Sequence, residues 1–305
     1  MQNTSHLLMI EPVNFGFNAA TAVNNSFQKN VAGNLQQKAL EEFNVLVALL
    51  RENKIDITVV KDQPEPHTPD SIFPNNWISF HDDGTVFLYP MFAINRRLER
   101  KESVLDAVKA KFNIAAINDL SHYETKQLYL EGTGSMVLDR MNRIAYACIS
   151  PRTNPAILNE FCRMNDYTAI SFIARGSDGV DIYHTNVMMC VADHYAVVCL
   201  GSICDTGERE KLITSLQNHG REIIDISLDQ LDHFAGNMLQ VLNSDNERLL
   251  IMSSQARLSL KKEQVNRLEK YNRILHSSLD NIETAGGGSA RCMLAEIFLT
   301  PNNYH

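Results

Sequence analysis

The sequence predicts an α/β fold: a five-bladed propeller of ββαβ-type repeats in which an N-terminal strand closes the last blade. The first observation is that five polar residues recur at intervals of 55, 53, 53 and 55 residues: Asn76, Glu131, His184, Asn237 and Cys292. Each stands before a segment with the pattern of a β-hairpin. The second is that a helical pattern and a further strand accompany each hairpin in the same order. A chain that repeats one unit about five times can close into a ring, where equivalent residues meet near the axis.

The first unit begins with a helix. Apolar residues from Leu35 to Leu50 recur at helical spacing, and Asn34 is a suitable N-cap. The alternating, β-branched sequence IDITVV at 55–60 then predicts a strand. The segments NNWISF and VFLYP, joined by the turn sequence DDGT, predict a hairpin.

The same elements return in the next three units. Apolar residues at a spacing of three and four indicate each helix, and two apolar segments around a polar turn indicate each hairpin. The helices are predicted at 102–112, 155–165 and 207–220, the strands after them at 112–118, 168–174 and 221–227, and the hairpins at 134–150, 186–200 and 237–253.

The last unit is incomplete at its C-terminal end. Residues 258–275 have a helical pattern, 281–285 suggest a short strand, and 290–299 suggest the first half of a hairpin. The sequence LLMIEP near the N-terminus can supply the missing strand, which would protect an open sheet edge. Alternating hairpins and helices argue against a doubly wound parallel sheet. No long polar linker divides the chain, so one domain is expected over 1–305.

Composition limits the classes of function. A chain of 305 residues that is 44% hydrophobic and 21% charged has enough apolar material for a core. Its net charge of -8, without a long run of Lys or Arg, argues against nucleic acid as a partner. The absence of a signal-peptide pattern and of a run of roughly 18 apolar residues predicts a cytoplasmic protein without a membrane partner. The oligomeric state stays open, with a homodimer as one possibility.

Six cysteines do not indicate a disulfide framework. Four of them lie in apolar surroundings, which is typical of buried thiols in a reducing compartment. Cys199 and Cys204 have a C-x4-C spacing without a second pair, so we do not expect a structural metal.

Three of the evenly spaced residues have side chains suited to nucleophilic catalysis. Cys292 follows AGGGSAR, whose glycines permit close backbone approach, and a cysteine thiol needs a nearby base or cation to attack carbon at neutral pH. His184 can serve as that base. Glu131 lies between an apolar segment and two glycines, where partial burial would raise its pKa. Taken singly, each also has an ordinary structural explanation: a buried thiol, a structural histidine, a solvated loop carboxylate.

Five segments resemble the motifs of dimethylarginine dimethylaminohydrolases, and they occur in the same order. PDSIFPNNW resembles their Asp-x-x-Phe stretch, LEGTG their Glu-Gly-Gly-Asp element, SPRTN their Ser-x-Arg-Thr-Asn element, IYHTN their His-x-Asp element, and GGGSARCML their glycine-rich cysteine loop. The resemblance extends from about residue 67 to 295. It implies the guanidine-modifying superfamily, whose members include arginine deiminases, amidinotransferases and succinylarginine dihydrolase, and whose five-bladed fold is called the pentein fold.

The resemblance implies a role for each matching residue. Cys292 would attack the central carbon of a guanidino or ureido group, Glu131 would hold the nitrogens and pass protons, and His184 would act as general acid and base. Arg152, together with Arg97 or Arg96, would bind the α-carboxylate of the substrate in bidentate fashion. Asp70, which could equally be a turn residue, would bind the α-amino group. No cofactor or metal is required, since a covalent intermediate and a proton relay divide the work.

Two departures from the family motifs bear on the substrate. Asn76 and Asn186 stand where related enzymes commonly have carboxylates, so two negative charges are missing. A buried guanidinium needs countercharge, whereas a neutral ureido group needs donors and acceptors, which amides supply. We therefore expect a hydrolase of C–N bonds whose favoured substrate is citrulline. The alternatives are an arginine deiminase-like hydrolase, an amidinotransferase, and a non-catalytic amino-acid binding protein.

Overall fold

Five small sheets of three strands each form the framework. In the computed structural model, which describes residues 1–31 and 33–302, two strands of every sheet are antiparallel and a third pairs parallel with the central one. The strands are β1 (His6–Glu11), β2 (Asp56–Lys61), β3 (Ile78–Phe80), β4 (Thr85–Leu88), β5 (Ala116–Asp119), β6 (Val137–Asp139), β7 (Ile144–Cys148), β8 (Thr168–Phe172), β9 (Met189–Val191), β10 (Tyr195–Val198), β11 (Glu222–Asp225), β12 (Leu239–Leu242), β13 (Arg248–Ser253), β14 (Arg273–Ser277) and β15 (Ala295–Glu296).

Helices connect the parallel strands of each sheet, because two parallel neighbours need a crossover. The α-helices are α1 (Ala19–Ala22), α2 (Leu35–Glu52), α3 (Glu102–Lys109), α4 (Gly132–Ser135), α5 (Pro155–Asn165), α6 (Thr185–Met188), α7 (Thr206–Asn218), α8 (Leu228–Asp232), α9 (Ser254–Ser259), α10 (Lys262–Glu269) and α11 (Asp280–Gly286). Asn34 caps α2 by accepting from the Gln37 backbone N–H, as predicted. Among the described residues, no helix is both long and apolar enough to cross a membrane.

The N-terminal strand completes the last blade, which confirms the prediction. Strand β1 pairs antiparallel with β15, where Leu8 lies opposite Ala295. The blade takes a second strand from the same part of the chain, because β2 pairs parallel with β1. The five strands that begin the hairpins lie innermost: β6 contacts β9, β9 contacts β12, and β15 contacts β3.

Residues before β1 hold several blades together. Gln2 Nε2 donates to the carbonyl oxygens of Leu138 at 3.0 Å and Val191 at 3.1 Å, which belong to neighbouring blades. Asn3 Nδ2 donates to Gln240 Oε1 in the next blade at 2.8 Å. These buried hydrogen bonds join three inner strands at one end of the ring axis.

Two predicted elements near the C-terminus were wrong. The helix expected over 258–275 ends at Glu269, and residues 273–277 form β14, because parallel pairing with β13 satisfies their backbone groups. The strand expected at 281–285 is part of α11, whose first N–H groups are capped by a residue that is distant in the sequence. The Glu42 carboxylate accepts from the backbone N–H groups of Asn281 and Ile282 at 2.9 and 3.0 Å.

Candidate active site

The five evenly spaced residues occupy equivalent places, each in or beside a short turn that precedes an inner strand. The strands that follow them are β3, β6, β9, β12 and β15. A narrow cavity lies where these turns meet, and Asn76, His184 and Cys292 are among its lining residues. Glu131 bonds to His184 and Asn237 bonds to Cys292, so the ring brings all five positions to one place.

Three glycines allow the turn that carries Cys292. Gly287 has a φ of +63°, which glycine adopts readily, and it ends α11. A Cβ on Gly286 would lie 2.8 Å from Phe73 Cζ, and one on Gly288 would lie 3.0 Å from the same ring. The glycines therefore let the loop pack closely against Phe73 and present the Cys292 thiol, which is only 3% exposed.

Two carboxamides contact the sulfur of Cys292. Asn186 Nδ2 lies 3.4 Å from Sγ, and Asn237 Nδ2 lies 3.3 Å from it. Asn186 Oδ1 is buried and has no hydrogen-bond partner among the described residues. The nearest donors to the sulfur are thus neutral amides, and one of them keeps an unused acceptor.

His184 and Glu131 form a buried pair, with Nε2 of the imidazole 2.8 Å from Oε2 of the carboxylate. Burial outweighs the attraction of Glu131 and lowers the pKa of His184 to about 4, so the ring is neutral at pH 7. An ionised carboxylate can only accept, so we assign the imidazole proton to Nε2. Nδ1 is then free to act as a base.

The expectation of a raised pKa for Glu131 was wrong. Burial does oppose ionisation, but Arg152, His184 and Arg96 outweigh it and hold the pKa of Glu131 well below its usual range. Arg152 Nη1 lies 3.5 Å and Arg96 Nη1 3.8 Å from Oε2, and the Phe92 backbone N–H donates to Oε1 at 3.0 Å. The carboxylate is fully buried and ionised, which the local sequence does not reveal.

Arg96, not Arg97, lines the cavity. Arg96 is held by a bidentate pair with Glu99, both contacts measuring 2.9 Å, and it also donates to Asn76 Oδ1 at 2.8 Å. Most of its donors are therefore already used inside the protein. Arg97 points elsewhere, since it donates to the Met91 carbonyl at 3.0 Å and is about a quarter exposed. The two arginines are thus distinguished by their partners: Arg96 bonds to side chains at the cavity, and Arg97 bonds to a backbone carbonyl away from it.

Arg152 and Asp70 are both bound by one short segment near α1. Arg152 donates to the Thr21 carbonyl at 2.7 Å and to Asn24 Oδ1 at 2.8 Å. Asp70 Oδ2 accepts from Asn18 Nδ2 at 2.8 Å and from the Thr21 hydroxyl at 3.1 Å. Burial raises the pKa of Asp70, while Arg96 and these donors act in the opposite direction. The segment thus presents acceptors to the arginine and donors to the carboxylate.

Asn237 is a site residue for which the sequence predicted no role. Its position in the repeat was visible, but the contact with Cys292 joins residues 55 apart in sequence and depends on ring closure. The cavity itself is nearly filled: its free volume is about 10 Å³, which is room for one water molecule.

Comparison with protein families gives a match over almost the whole chain. The family model described as "N,N dimethylarginine dimethylhydrolase, eukaryotic" matches residues 11–299. Comparison with curated proteins gives no match.

Several solved structures share the fold at low sequence identity. The apo structure of ArgZ, an arginine dihydrolase from the ornithine-ammonia cycle in cyanobacteria, superposes with a TM-score of 0.76 at 18% identity over 96% of this chain. Unliganded AgrE superposes with a TM-score of 0.76 at 20% identity over 98%. A dimethylarginine dimethylaminohydrolase adduct with 4-chloro-2-hydroxymethylpyridine has a TM-score of 0.67 at 16% identity and is covered over 100% of its own length. The chain spans 40% of the ArgZ and AgrE chains, and 99% of an isolated N-terminal domain of ArgZ.

Proposed function

Because the chain belongs to the dimethylarginine dimethylhydrolase family and has the pentein fold, we propose that it is a cysteine-dependent hydrolase of C–N bonds. Its substrate class is an amino acid with a ureido or guanidino side chain, and citrulline is favoured. The observation that carries the proposal is that Cys292, His184, Asp70 and Arg152 line one narrow cavity. Glu131 is bonded to His184 beside it.

With citrulline, the Cys292 thiolate attacks the ureido carbon. Cleavage of the bond from that carbon to the side-chain nitrogen releases ornithine and leaves an S-carbamoyl cysteine. Water then attacks the carbonyl carbon, the bond to sulfur breaks, and the carbamic acid decomposes to carbon dioxide and ammonia. The net reaction consumes one water and yields one ornithine, one carbon dioxide and one ammonia.

His184 moves the protons and Glu131 orients His184. Nδ1 accepts the thiol proton, gives it to the departing amine, and then takes a proton from the attacking water that is returned to the sulfur. Glu131 stays ionised, accepts from Nε2–H, and so fixes the ring and its tautomer. The neutral imidazole at pH 7 is in the form that the first step requires.

The α-amino and α-carboxylate groups fit the partners of the segment near α1. Asn18 and Thr21 give Asp70 the donors that a substrate ammonium would replace. Thr21 and Asn24 give Arg152 the acceptors that a carboxylate would replace. Since the cavity has room for one water, substrate binding requires lining residues to move, and this segment supplies part of the lining.

The reactive end of the cavity favours a neutral group. The Asn186 and Asn237 amides, not carboxylates, contact the sulfur. The unused Asn186 oxygen can accept from a ureido NH2. Asp70 and Glu131 each lie within 4 Å of an arginine, which offsets most of their charge.

Arginine is the second candidate. Three carboxylates, Glu99, Asp70 and Glu131, lie beside only two arginines, so one negative charge remains for a guanidinium when all three are ionised. Burial raises the pKa of Glu99 to about 7. The structural neighbours also include an arginine dihydrolase, ArgZ, and AgrE in a complex with L-arginine.

Product analysis separates the candidates. Purified protein is given citrulline or arginine without an added amine, and ornithine, citrulline and ammonia are quantified. Citrulline hydrolysis gives ornithine and ammonia in equal amounts, arginine dihydrolysis gives twice as much ammonia as ornithine, and deimination gives citrulline. Release of none of these products would overturn the proposed function. Full activity in a Cys292→Ala variant would overturn the covalent mechanism.

A further inference from the structure

We propose that Asn237 is a further catalytic residue, whose carboxamide N–H donates to the sulfur of Cys292 and stabilises its thiolate. The proposal rests on the proposed function in one respect, because it takes Cys292 as the nucleophile. Asn237 opens the fourth hairpin, at the place equivalent to Cys292 in the fifth.

The hydrogen bonds of Asn237 fix the orientation of its amide. Its Oδ1 accepts from the Arg291 backbone N–H at 3.0 Å, and a backbone N–H can only donate. The amide nitrogen must therefore face the other way, where it lies 2.8 Å from the Asn186 carbonyl oxygen and 3.3 Å from Cys292 Sγ. Its two N–H groups match these two acceptors.

The backbone around Asn237 is packed too closely to adjust. Asn237 is fully buried, and its own N–H donates to the Phe234 carbonyl at 2.8 Å. A Cβ on the preceding Gly236 would lie 2.5 Å from the Val187 carbonyl oxygen. The donor is thus held in place before any reaction, which is the condition under which a dipole stabilises developing charge most effectively.

Stabilisation from a neutral donor is needed because no free cation faces the sulfur in the described structure. His184 is neutral at pH 7 until it takes the thiol proton, and Arg152 and Arg96 lie against carboxylates. A thiolate in this narrow cavity then gains stability from N–H dipoles. Asn186 is the second donor, but its unused oxygen leaves it free to serve the substrate, whereas both ends of the Asn237 amide are committed.

Alkylation of Cys292 tests this without any substrate. The rate of reaction with iodoacetamide is measured against pH by mass spectrometry of the Cys292 peptide, in a Cys204→Ser background because Cys204 is exposed. The test variants are Asn237→Asp, which keeps the acceptor for Arg291, and Asn237→Ala. The matched control is Asn243→Ala, which removes a buried asparagine of the same blade whose Oδ1 also accepts from backbone N–H groups.

Loss of a hydrogen bond to a charged group predicts a rate about 10- to 100-fold lower at pH 7 in Asn237→Ala. The rate should be at least as low in Asn237→Asp, whose carboxylate also repels the thiolate. The pH of half-maximal alkylation should rise by about one to two units, as that fold-change implies, while the control stays like the parent protein. Folded variants with the parental pH profile would overturn the proposal. If neither variant folds, nuclear magnetic resonance of the parent protein decides, because a donor to the sulfur should have a side-chain N–H resonance that shifts when Cys292 is alkylated. An Asn237 amide resonance that does not move would also overturn the proposal. Failure to turn over citrulline or arginine, with the expected alkylation profile, would instead count against the proposed substrates.

Discussion

Replacement of Asn186 by Asp tests whether the absence of a carboxylate at this position determines the substrate preference. The two side chains have nearly the same shape, so the change adds a carboxylate beside Cys292 without altering the packing. The Asn186 amide lies 3.4 Å from the sulfur, and the carbon under attack must approach that sulfur closely. A carboxylate here would therefore face the reacting group directly.

The expected change in substrate preference follows from Coulomb's law. A guanidinium about 4 Å from the new carboxylate gains roughly 4 kcal/mol at an effective dielectric constant of about 20. A ureido group gains little of this interaction energy, because it carries no net charge. The ratio of kcat/KM for arginine to that for citrulline should therefore rise by on the order of 10² to 10³. For citrulline, kcat/KM should fall by about 10- to 100-fold, because a carboxylate cannot donate to the thiolate. For arginine, the Coulombic gain should offset this loss.

The assay is ornithine release from each substrate at pH 7.5, with kcat/KM measured for the parent protein and the variant. Asn218→Asp is the matched control, because it adds the same charge at the exposed end of α7. A folded Asn186→Asp variant whose substrate ratio stays within about threefold of the parent value would refute the charge argument, since that corresponds to well under 1 kcal/mol.

Three further predictions concern the supports of the site. In Gly134→Ala, the new Cβ would lie 2.3 Å from Asn76 Nδ2 and 2.9 Å from His184 Nδ1, so kcat should fall by about 100-fold, as measured by steady-state kinetics. Burial raises the pKa of Glu283 from 4.5 to about 7, so the folded protein binds more protons than the unfolded chain between these values and loses stability as the pH rises through them. Between pH 5 and pH 8, the unfolding free energy of the parent protein should fall by roughly 3 kcal/mol more than that of Glu283→Gln. Urea denaturation at each pH measures this. Arg97→Ala should leave KM within about threefold of the parent value, because the Arg97 side chain bonds to the Met91 carbonyl outside the cavity; steady-state kinetics measures this.

Each of these has an outcome that contradicts it. Unchanged kinetics in Gly134→Ala would mean that the neighbouring side chains shift without affecting the reaction. Parallel curves of stability against pH for the parent and Glu283→Gln would show that this carboxyl does not titrate in the expected range. A large rise in KM for Arg97→Ala would place that guanidinium at the substrate after all.

The architecture followed from local patterns in the sequence. Hairpins, helices and caps such as Asn34 depend on residues that are near neighbours in the chain, and their repetition at 53 to 55 residues predicted the five blades. Two elements near the C-terminus were misassigned for the opposite reason. Residues 273–277 are a strand because they pair with β13, and 280–286 are helical with a cap from Glu42, and neither partner is a sequence neighbour.

The chemistry of the site depended on long-range contacts. From its own segment, Glu131 was expected to have a raised pKa, but Arg152 and Arg96, which lie 21 residues after and 35 residues before it, keep it ionised. Tertiary contacts with Glu99 and Asn76 place Arg96, and not Arg97, at the cavity. The sequence by itself determined the ring and its five axial positions, because a structural repeat can be recognised from local sequence patterns. The tertiary structure decided their protonation and contacts, including the Asn237 amide at the sulfur, because electrostatics acts through space and not along the chain.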